Sequence, residues 1–164
     1  YILAQHRLTI HKYWVAYYLI KTLIKNEYHN HLNISDHDKV LLLLRAVFHD
    51  LSKYRWCEAK YFAKIVQGQK KICFGTPEYK KKLEAARPGI REHYKRNSHH
   101  PEYYENRIEG MSRLDKIEMV CDWNAAGRRN PGGCILKSIN FSQERYGYDD
   151  MEKEYFLTIA RCIL

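Results

Sequence analysis

Apolar side chains recur every three or four residues along most of this chain, and long stretches contain neither proline nor glycine. The 164 residues include only four prolines and eight glycines. Because this spacing places apolar residues on one face of an α-helix, whereas a half-buried strand alternates at every second residue, helices should dominate. No alternating run, internal repeat or low-complexity tract competes with this pattern. The sequence therefore predicts an all-α, compact single domain over residues 1–164.

Capping residues and the apolar periodicity set the expected boundaries of the first helices. A first helix is predicted over residues 3–30, and a second over residues 37–54 with Ser35 or Asp36 as its N-cap. The run VLLLLRAVF in the second helix is apolar nearly all round, which is typical of a central helix. A third helix covers WCEAKYFAKIV and should end near Gly68.

Prolines and glycines divide the second half of the chain. KKICFGTPEY is expected to be a connecting loop, and Pro77 suits the first turn of a helix that begins at Glu78. Pro88 and Gly89 predict a kink or break, after which IREHYKRNSHH resumes the helix as far as Pro101. The remaining helices are predicted over residues 112–128, in CILKSINFSQERYG and in DDMEKEYFLTIARCIL.

The formal charge of +9 is concentrated in one part of the chain. Between residues 60 and 96 there are eleven lysines or arginines against three glutamates. Such a basic surface favours a polyanionic partner, either a phosphorylated small molecule or a nucleic acid. A solvated helix face that only aids solubility is an equally good interpretation.

Cysteine usage and hydropathy bear on the compartment. The five cysteines show no CxxC spacing, and their odd number argues against a disulfide framework or a zinc knuckle. No apolar stretch reaches the roughly 18 residues of a membrane span. The N-terminal region, interrupted by His6 and Arg7, lacks the apolar core of a secretory signal. The sequence predicts a cytoplasmic protein with reduced thiols and no membrane contact, and it does not indicate an oligomeric state.

Two His-Asp pairs occur, and they differ in their surroundings. His37-Asp38 lies in SDHDKV, where acidic residues at a helix start favour an ordinary capping role. His49-Asp50 directly follows LLLLRAVF, where a carboxylate costs several kcal/mol unless it is paired or bound to a metal. Lys53 could form that ion pair. Alternatively His49 and Asp50, about 100° apart on one helix, both face a metal ion.

Further histidines that could complete a metal site lie on other segments. His11 stands on the apolar stripe of the first helix, a position that an ordinary core histidine also occupies. His93, Asn97 and His100 are at i, i+4 and i+7, so they share a helical face if the helix persists that far. Imidazoles clustered on one face repel when charged, which favours a neutral, metal-bound set.

An acidic residue on a later helix could join these histidines. Asp122 follows Glu118 by four residues and lies among apolar side chains in KIEMVCDWNAA. At least one acid of this segment should therefore point inward. An exposed position on the surface suits Asp115 better than Asp122.

In chain order these residues resemble a known superfamily. The pattern H…HD…D resembles the HD superfamily of metal-dependent phosphohydrolases. HDLSK with the later H…HHPE…D is similar to the two-metal HD-GYP-type phosphodiesterases, although HHPEYYENRIEG stands in place of the GYP motif. The chain as a whole, through HKYWV, FHDLSKY, HYKRNSHHPE and EMVCDW, more closely resembles a small family of uncharacterised proteins of phages and bacteria.

The resemblance implies an HD-domain-like helical bundle that hydrolyses a nucleotide or another small phosphoester. It implies a first divalent ion held by four residues from separate segments: His11, His49, Asp50 and Asp122. It implies a second ion held by His93 and by either His99 or His100, with Asp50 bridging the two. His6 is an alternative to His11. Nitrogen and oxygen ligands without a thiolate suit one or two ions of Mn, Fe, Co, Ni or Mg, with Zn also possible.

The resemblance also implies roles around the ions. Lys53 would neutralise a phosphate oxygen. Glu58, Glu118 and Asn97 are candidates for orienting imidazoles or moving protons, or are ordinary polar residues. The predicted catalytic set is Asp50, Lys53, Glu58 and Glu118, and the predicted substrate-binding set is Lys53, Lys95, Arg96 and Asn97.

Two other functions fit parts of the sequence. Some HD-type folds hold two irons and activate oxygen, and the ligand types do not exclude this chemistry. A basic helical module could instead bind nucleic acid through its lysines and its fourteen tyrosines. Nucleic-acid binding, however, gives no reason for inward-facing histidines and aspartates on several helices.

Overall fold

The computed structural model describes residues 2–66, 76–128 and 132–164, and it confirms the prediction of an all-α domain. Within these ranges the chain forms seven α-helices and three short 3₁₀ helices, with no strand. The α-helices are α1 (Ile2–His29), α2 (Asp36–Phe48), α3 (Trp56–Val66), α4 (Pro77–Tyr94), α5 (Arg113–Gly127), α6 (Ile135–Tyr146) and α7 (Asp150–Ile163). The 3₁₀ helices are Leu51–Tyr54, Pro101–Tyr103 and Arg107–Gly110. The predicted end of the third helix near Gly68 and most of the KKICFGTPEY loop lie outside the described residues.

The central helix of the domain is α5. It packs against α1, α2, α6 and α7, and Ile117, Met119 and Val120 are fully buried. The prediction that α2 is central is wrong, because α2 lies at the edge and buries only Leu42 and Ala46 as apolar residues. Leu41 is partly buried against the core, and five other large apolar side chains of α2 are 45 to 65% exposed: Val40, Leu43, Leu44, Val47 and Phe48.

The long helix α1 brings its inward stripe against the centre of the domain. Val15, Leu19 and Thr22 are fully buried at three- and four-residue spacing, and α1 packs against α2, α5 and α7. Burying a side chain such as Leu19 contributes about 1.5–3 kcal/mol of stability. The same stripe carries His11, so the packing of α1 directs this imidazole into the interior.

Helix α2 begins with a capping box and ends earlier than predicted. Ser35 is the N-cap: its Oγ accepts from the backbone N–H of Asp38 at 3.1 Å, and the Asp38 carboxylate accepts from Ser35 N–H at 3.3 Å. The capping interpretation of the His37-Asp38 segment is thus confirmed. The predicted continuation to residue 54 is wrong, since α2 ends at Phe48 and Asp50 adopts a left-handed backbone with φ of 56°.

The break after Phe48 places His49 and Asp50 between α2 and the 3₁₀ helix Leu51–Tyr54, and they are not neighbours on one helix. A left-handed backbone strains most side-chain-bearing residues, although aspartate and asparagine tolerate it best. Such strain is frequently found at functional sites.

Helices α3 and α4 form a closely packed pair. A Cβ added to Gly89 would lie 2.5 Å from Cβ of Tyr61, so this glycine permits the close approach of the two helices. The predicted helix start is confirmed, with Pro77 in the first turn, but α4 continues through Pro88 without a break. Proline has no backbone N–H, so α4 lacks one internal hydrogen bond at Pro88.

Helix α4 ends at Tyr94, so the predicted helical face of His93, Asn97 and His100 is wrong. Residues 95–100 are in turns, with His100 N–H donating to the Asn97 carbonyl at 3.1 Å. The Asn97 amide in turn donates to the His93 carbonyl at 2.6 Å, which satisfies an acceptor at the helix end. These turns fold the histidines that follow α4 back towards His93.

Among the helices that the structure describes, none combines the length and apolar character that a membrane crossing requires.

Candidate metal centre

Buried histidines and acids converge on Asp50, at the break after α2. Three groups of side chains place one ligand atom each within 4.8 Å of one another, which is close enough to hold a metal ion. Two of these groups share Asp50, and they are His11-His49-Asp50 and Asp50-His93-His99-His100. The third is His49-His99-Glu118. Asp50 is 1% exposed and His49 is 2% exposed, so the cluster lies inside the protein.

The first group joins α1 to the break after α2, and Asp122 of α5 lies beside it. Nε2 of His11 lies 2.8 Å from Oδ1 of Asp122 and 3.7 Å from Oδ2 of Asp50. Nε2 of His49 lies 3.4 Å from Oδ2 of Asp50 and 3.8 Å from Oδ1 of Asp122. Two imidazole nitrogens and two carboxylates therefore face one another.

The second group lies on the other oxygen of Asp50. Nε2 of His93 is 3.2 Å from Oδ1 of Asp50, and Nε2 of His99 is 3.6 Å from the same oxygen. Nε2 of His100 lies 2.9 Å from Nε2 of His93. The two oxygens of one buried carboxylate thus face two separate sets of imidazoles.

Glu118 lies behind two of these histidines. Its Oε1 is 2.8 Å from Nδ1 of His49 and 3.3 Å from Nδ1 of His99, and its Oε2 accepts from Arg45 at 2.9 Å. An imidazole that donates its Nδ1–H to a carboxylate directs Nε2 the other way, here towards Asp50. Glu118 therefore orients the two rings from the side away from Asp50.

Glu58 has the same relation to His93. Its Oε2 lies 3.1 Å from Nδ1 of His93 and accepts from Ser52 Oγ at 2.8 Å. The Asn97 amide lies 2.7 Å from Ser52 Oγ and 2.9 Å from Nδ1 of His93. Glu58 is fully buried, so α3 and the end of α4 together fix the His93 ring.

The cluster concentrates negative charge in the interior. Burial would raise the pKa of Asp50, but the neighbouring charges of His49 and Lys53 hold it well below its usual range. Burial also opposes ionisation of Asp122, yet the contact with His11 lowers its pKa well below the usual value. Burial lowers the pKa of His49, but Asp50 and Glu118 reverse this and raise it to about 10. Buried carboxylates that stay ionised need positive charge beside them.

His100 behaves differently from His49. Burial and the adjacent His99 and His93 hold its pKa well below the usual value, so its ring stays neutral. Neutral imidazole is the form that binds metal ions.

The residues present fit a metal ion. Nε2 of His49, Nε2 of His99 and Oδ1 of Asp50 are buried and make no hydrogen bond to any other residue that the structure describes. Buried polar atoms are rarely left in that state unless they bind water or an ion. These three atoms belong to the groups of side chains that face one another around Asp50. Buried His and Asp groups that could hold a metal ion are therefore present.

Lys53 forms an ion pair with Oδ2 of Asp50 and is largely buried. The structure thus contains the ion pair of Asp50 and Lys53 that the sequence suggested. This pair lies within the cluster of candidate metal ligands. Lys95 is exposed and contacts Glu92, away from the ligands. Arg96 is not among the ligands either: its Nη1 lies 2.7 Å from Glu92 and 3.7 Å from Oε1 of Glu58.

Several alternatives left open by the sequence have a clear position in the fold. His6 is exposed, whereas His11 is buried against Asp122. His99 and His100 both lie beside Asp50. The expectation that Asp115 is exposed is wrong: it is 2% exposed, because Ser112, Tyr104 and Arg45 all hydrogen-bond to its carboxylate.

Two residues of the site were missed in the sequence. Arg45 binds both Asp115 and Glu118, and its isolated charge in the run LLLLRAVF was a usable signal. Ser52 links Glu58, His93 and Asn97, and it stands inside the HDLSK segment. Neither spacing nor composition would have assigned Ser52 these partners.

Comparison with known proteins adds a family and no activity. The model of a family of unknown function, DUF5662, matches residues 3–162. No curated protein matches the chain, and no solved structure does. The expected likeness to uncharacterised proteins agrees with this match, and membership of the HD superfamily stays a prediction.

Proposed function

We propose that this chain, which belongs to the DUF5662 family, is a metal-dependent phosphohydrolase or phosphodiesterase acting on a nucleotide or another small phosphoester. The observation that carries the proposal is the buried Asp50 carboxylate, whose two oxygens face two separate sets of histidines. A carboxylate shared in this way suits a two-ion site. The resemblance of H…HD…D to the HD superfamily supports the same reaction class.

The ligands divide into two sets that share Asp50. His11, His49, Asp50 and Asp122 would hold one ion, and Asp50, His93, His99 and His100 would hold the other. No cysteine belongs to the groups that the described residues form, which favours Mn, Fe, Co, Ni or Mg, with Zn also compatible. Bound divalent ions would supply a hydroxide nucleophile and neutralise charge on the phosphoester.

Three side chains beside the ligands orient the imidazoles or supply positive charge. Glu118 keeps Nε2 of His49 and His99 directed at the centre, and Glu58 does the same for His93. Both glutamates lie on the far side of the rings from Asp50, so we assign them positioning roles. Lys53 is the cation next to Asp50, and it would contact a non-bridging phosphate oxygen once Asp50 binds metal.

Among the histidines beside Asp50, His100 is the one that is not fully buried. His49, His93 and His99 are 2 to 3% exposed, whereas His100 is half-buried. The side chain of Lys53 is 14% exposed. The exposed parts of the site thus include an ammonium group, which suits an anionic substrate.

The test uses purified protein loaded in turn with Mn²⁺, Fe²⁺, Co²⁺, Ni²⁺, Mg²⁺ and Zn²⁺. Hydrolysis of bis-p-nitrophenyl phosphate and of a nucleotide panel should require metal and fall at least a thousandfold in Asp50→Asn. Asparagine tolerates the left-handed backbone at this position, so the variant should keep the fold. Asp36→Asn, whose side chain is 96% exposed, is the matched control.

Metal-loaded protein that is inert on the whole panel would overturn the proposal. An oxygen-dependent optical change of the iron-loaded protein without hydrolysis would favour the oxidative chemistry instead.

A further inference from the structure

A groove of about 380 Å³ between α4 and α6 carries a concentration of positive charge. Four basic side chains line it: Arg87, Arg91, Lys95 and Arg145. Glu102 is the one acid on its wall. The groove lies outside the ligand cluster around Asp50.

Three of the cations form a stripe along α4 and the turn that follows it. Arg87 and Arg91 lie four residues apart on α4, and Lys95 follows in the turn after Tyr94, where its N–H donates to the Arg91 carbonyl at 3.2 Å. Like charges at this spacing destabilise a helix by a few tenths of a kcal/mol per pair. An anion bound across the stripe would remove this repulsion.

The acids near the stripe leave its cations available to bind an anion. Arg87 pairs with Glu84 and Lys95 with Glu92, both at the surface, where ion pairs contribute little and exchange readily. Arg91 is exposed and forms no ion pair with any residue in the described ranges. Arg145 of α6 also lines the groove, and it lies 2.7 Å from Glu102.

One residue of the groove lining contacts a histidine of the candidate metal centre. Tyr94 lines the groove, and its ring centroid lies 4.7 Å from that of His100. Ile90 lies beside it in the lining. A lining that combines apolar and basic side chains suits a flat ring that carries phosphate groups.

We propose that this groove is a phosphate-binding subsite next to the half-buried His100. It holds a second phosphate group of the substrate while the reacting phosphoester lies at Asp50. The substrate class is thereby narrowed to molecules with at least two phosphate groups, such as a nucleoside polyphosphate or a short oligonucleotide. This substrate assignment rests on the proposed hydrolysis, whereas phosphate binding by the groove does not.

The binding test needs no activity. Inorganic tripolyphosphate is titrated calorimetrically into the metal-free full chain, and into the variants Arg91→Gln and Arg87→Gln/Arg91→Gln. We expect one tripolyphosphate per chain, with binding at least tenfold weaker in the double variant and a steep decrease with salt. Arg161→Gln, which removes an exposed arginine on α7, is the matched control and should bind like the unaltered chain. Equal binding by the double variant and the unaltered chain would overturn the subsite.

A second measurement separates the two proposals. KM for a nucleoside triphosphate should rise at least tenfold in the double variant, relative to KM for bis-p-nitrophenyl phosphate. If tripolyphosphate binds through the arginines but no phosphoester is cleaved, the proposed hydrolysis fails and the subsite stands. If phosphoesters are cleaved but the double variant leaves both the binding and the KM ratio unchanged, the subsite fails and the hydrolysis stands.

Discussion

Oε1 of Glu118 lies 2.8 Å from Nδ1 of His49, and the other oxygen of the same carboxylate accepts from Arg45 at 2.9 Å. Arg45 and His49 lie four residues apart around the end of α2, while Glu118 belongs to the central helix α5. One carboxylate therefore ties the break after α2 to the most buried helix. Because His49 donates its Nδ1–H outward, the nitrogen that faces Asp50 is Nε2.

This relationship predicts that Glu118→Gln weakens metal binding without unfolding the protein. An amide is uncharged and accepts less strongly, so His49 and His99 lose the partner that fixes their tautomer. Such supporting carboxylates typically change metal affinity by about 10–100-fold. Competition with a chelating dye measures the affinity, and circular dichroism checks the helices. Glu109→Gln, at an exposed site, is the control. Equal affinities in the two variants would contradict the assignment.

The position of Asp50 among ligands from several segments predicts that metal binding stabilises the fold. Because the ligands come from separate segments, an ion that binds only the folded chain should stabilise it, by about 2.7 kcal/mol at a hundred times its Kd. Adding Mn²⁺ should therefore raise the midpoint temperature of thermal unfolding of the unaltered chain, and EDTA should bring it back to the metal-free value. Asp50→Asn should show no such shift, whereas Asp36→Asn should retain it. A shift that persists in Asp50→Asn would show that metal binds elsewhere.

The all-α class and most helix starts followed from local signals. The capping residue Ser35 and the first-turn Pro77 are local in sequence, and both helices begin where these residues predict. The break after Phe48 was not predictable in this way. It depends on Asp50 taking a left-handed backbone, and the side chains that contact Asp50 there include His11 of α1 and His93 of α4, which are distant in sequence.

The candidate ligands were named from residue type and order, and the fold brings them together. Their partners could not be predicted. Asp115 looked like a surface acid because its neighbours in sequence gave no reason for burial, whereas Ser98, Tyr104 and Arg45 reach it from other segments. Long-range hydrogen bonds of this kind leave no periodic trace in the sequence.

Gly89 tests the packing of α3 on α4. Gly89→Ala should lower the free energy of unfolding by about 1–3 kcal/mol, because its Cβ would lie 2.5 Å from Cβ of Tyr61 and the helices would have to separate. Chemical denaturation measures the change. In Gly127→Ala the nearest atom is 3.7 Å away, so this variant should be tolerated. If alanine at Gly89 stabilises the helix as propensity alone predicts, the close approach is not present.

Asp115 predicts a pH dependence of stability. Burial alone would raise its pKa, but the hydrogen bonds from Ser112, Ser98 and Tyr104 and the contact with Arg45 lower it below 3.8. The folded state therefore binds the proton less readily than the unfolded state, so stabilisation by this group is complete above about pH 5 and is lost progressively below about pH 4, as pH falls through the lowered pKa of the folded state. Urea denaturation of the unaltered chain and of Asp115→Asn should differ by about 2–3 kcal/mol at pH 7, the loss of a buried charged acceptor. That difference should shrink between pH 5 and pH 3, because protonation removes the charge that the variant already lacks. A difference that stays constant over this range would mean that the ionised carboxylate does not stabilise the fold.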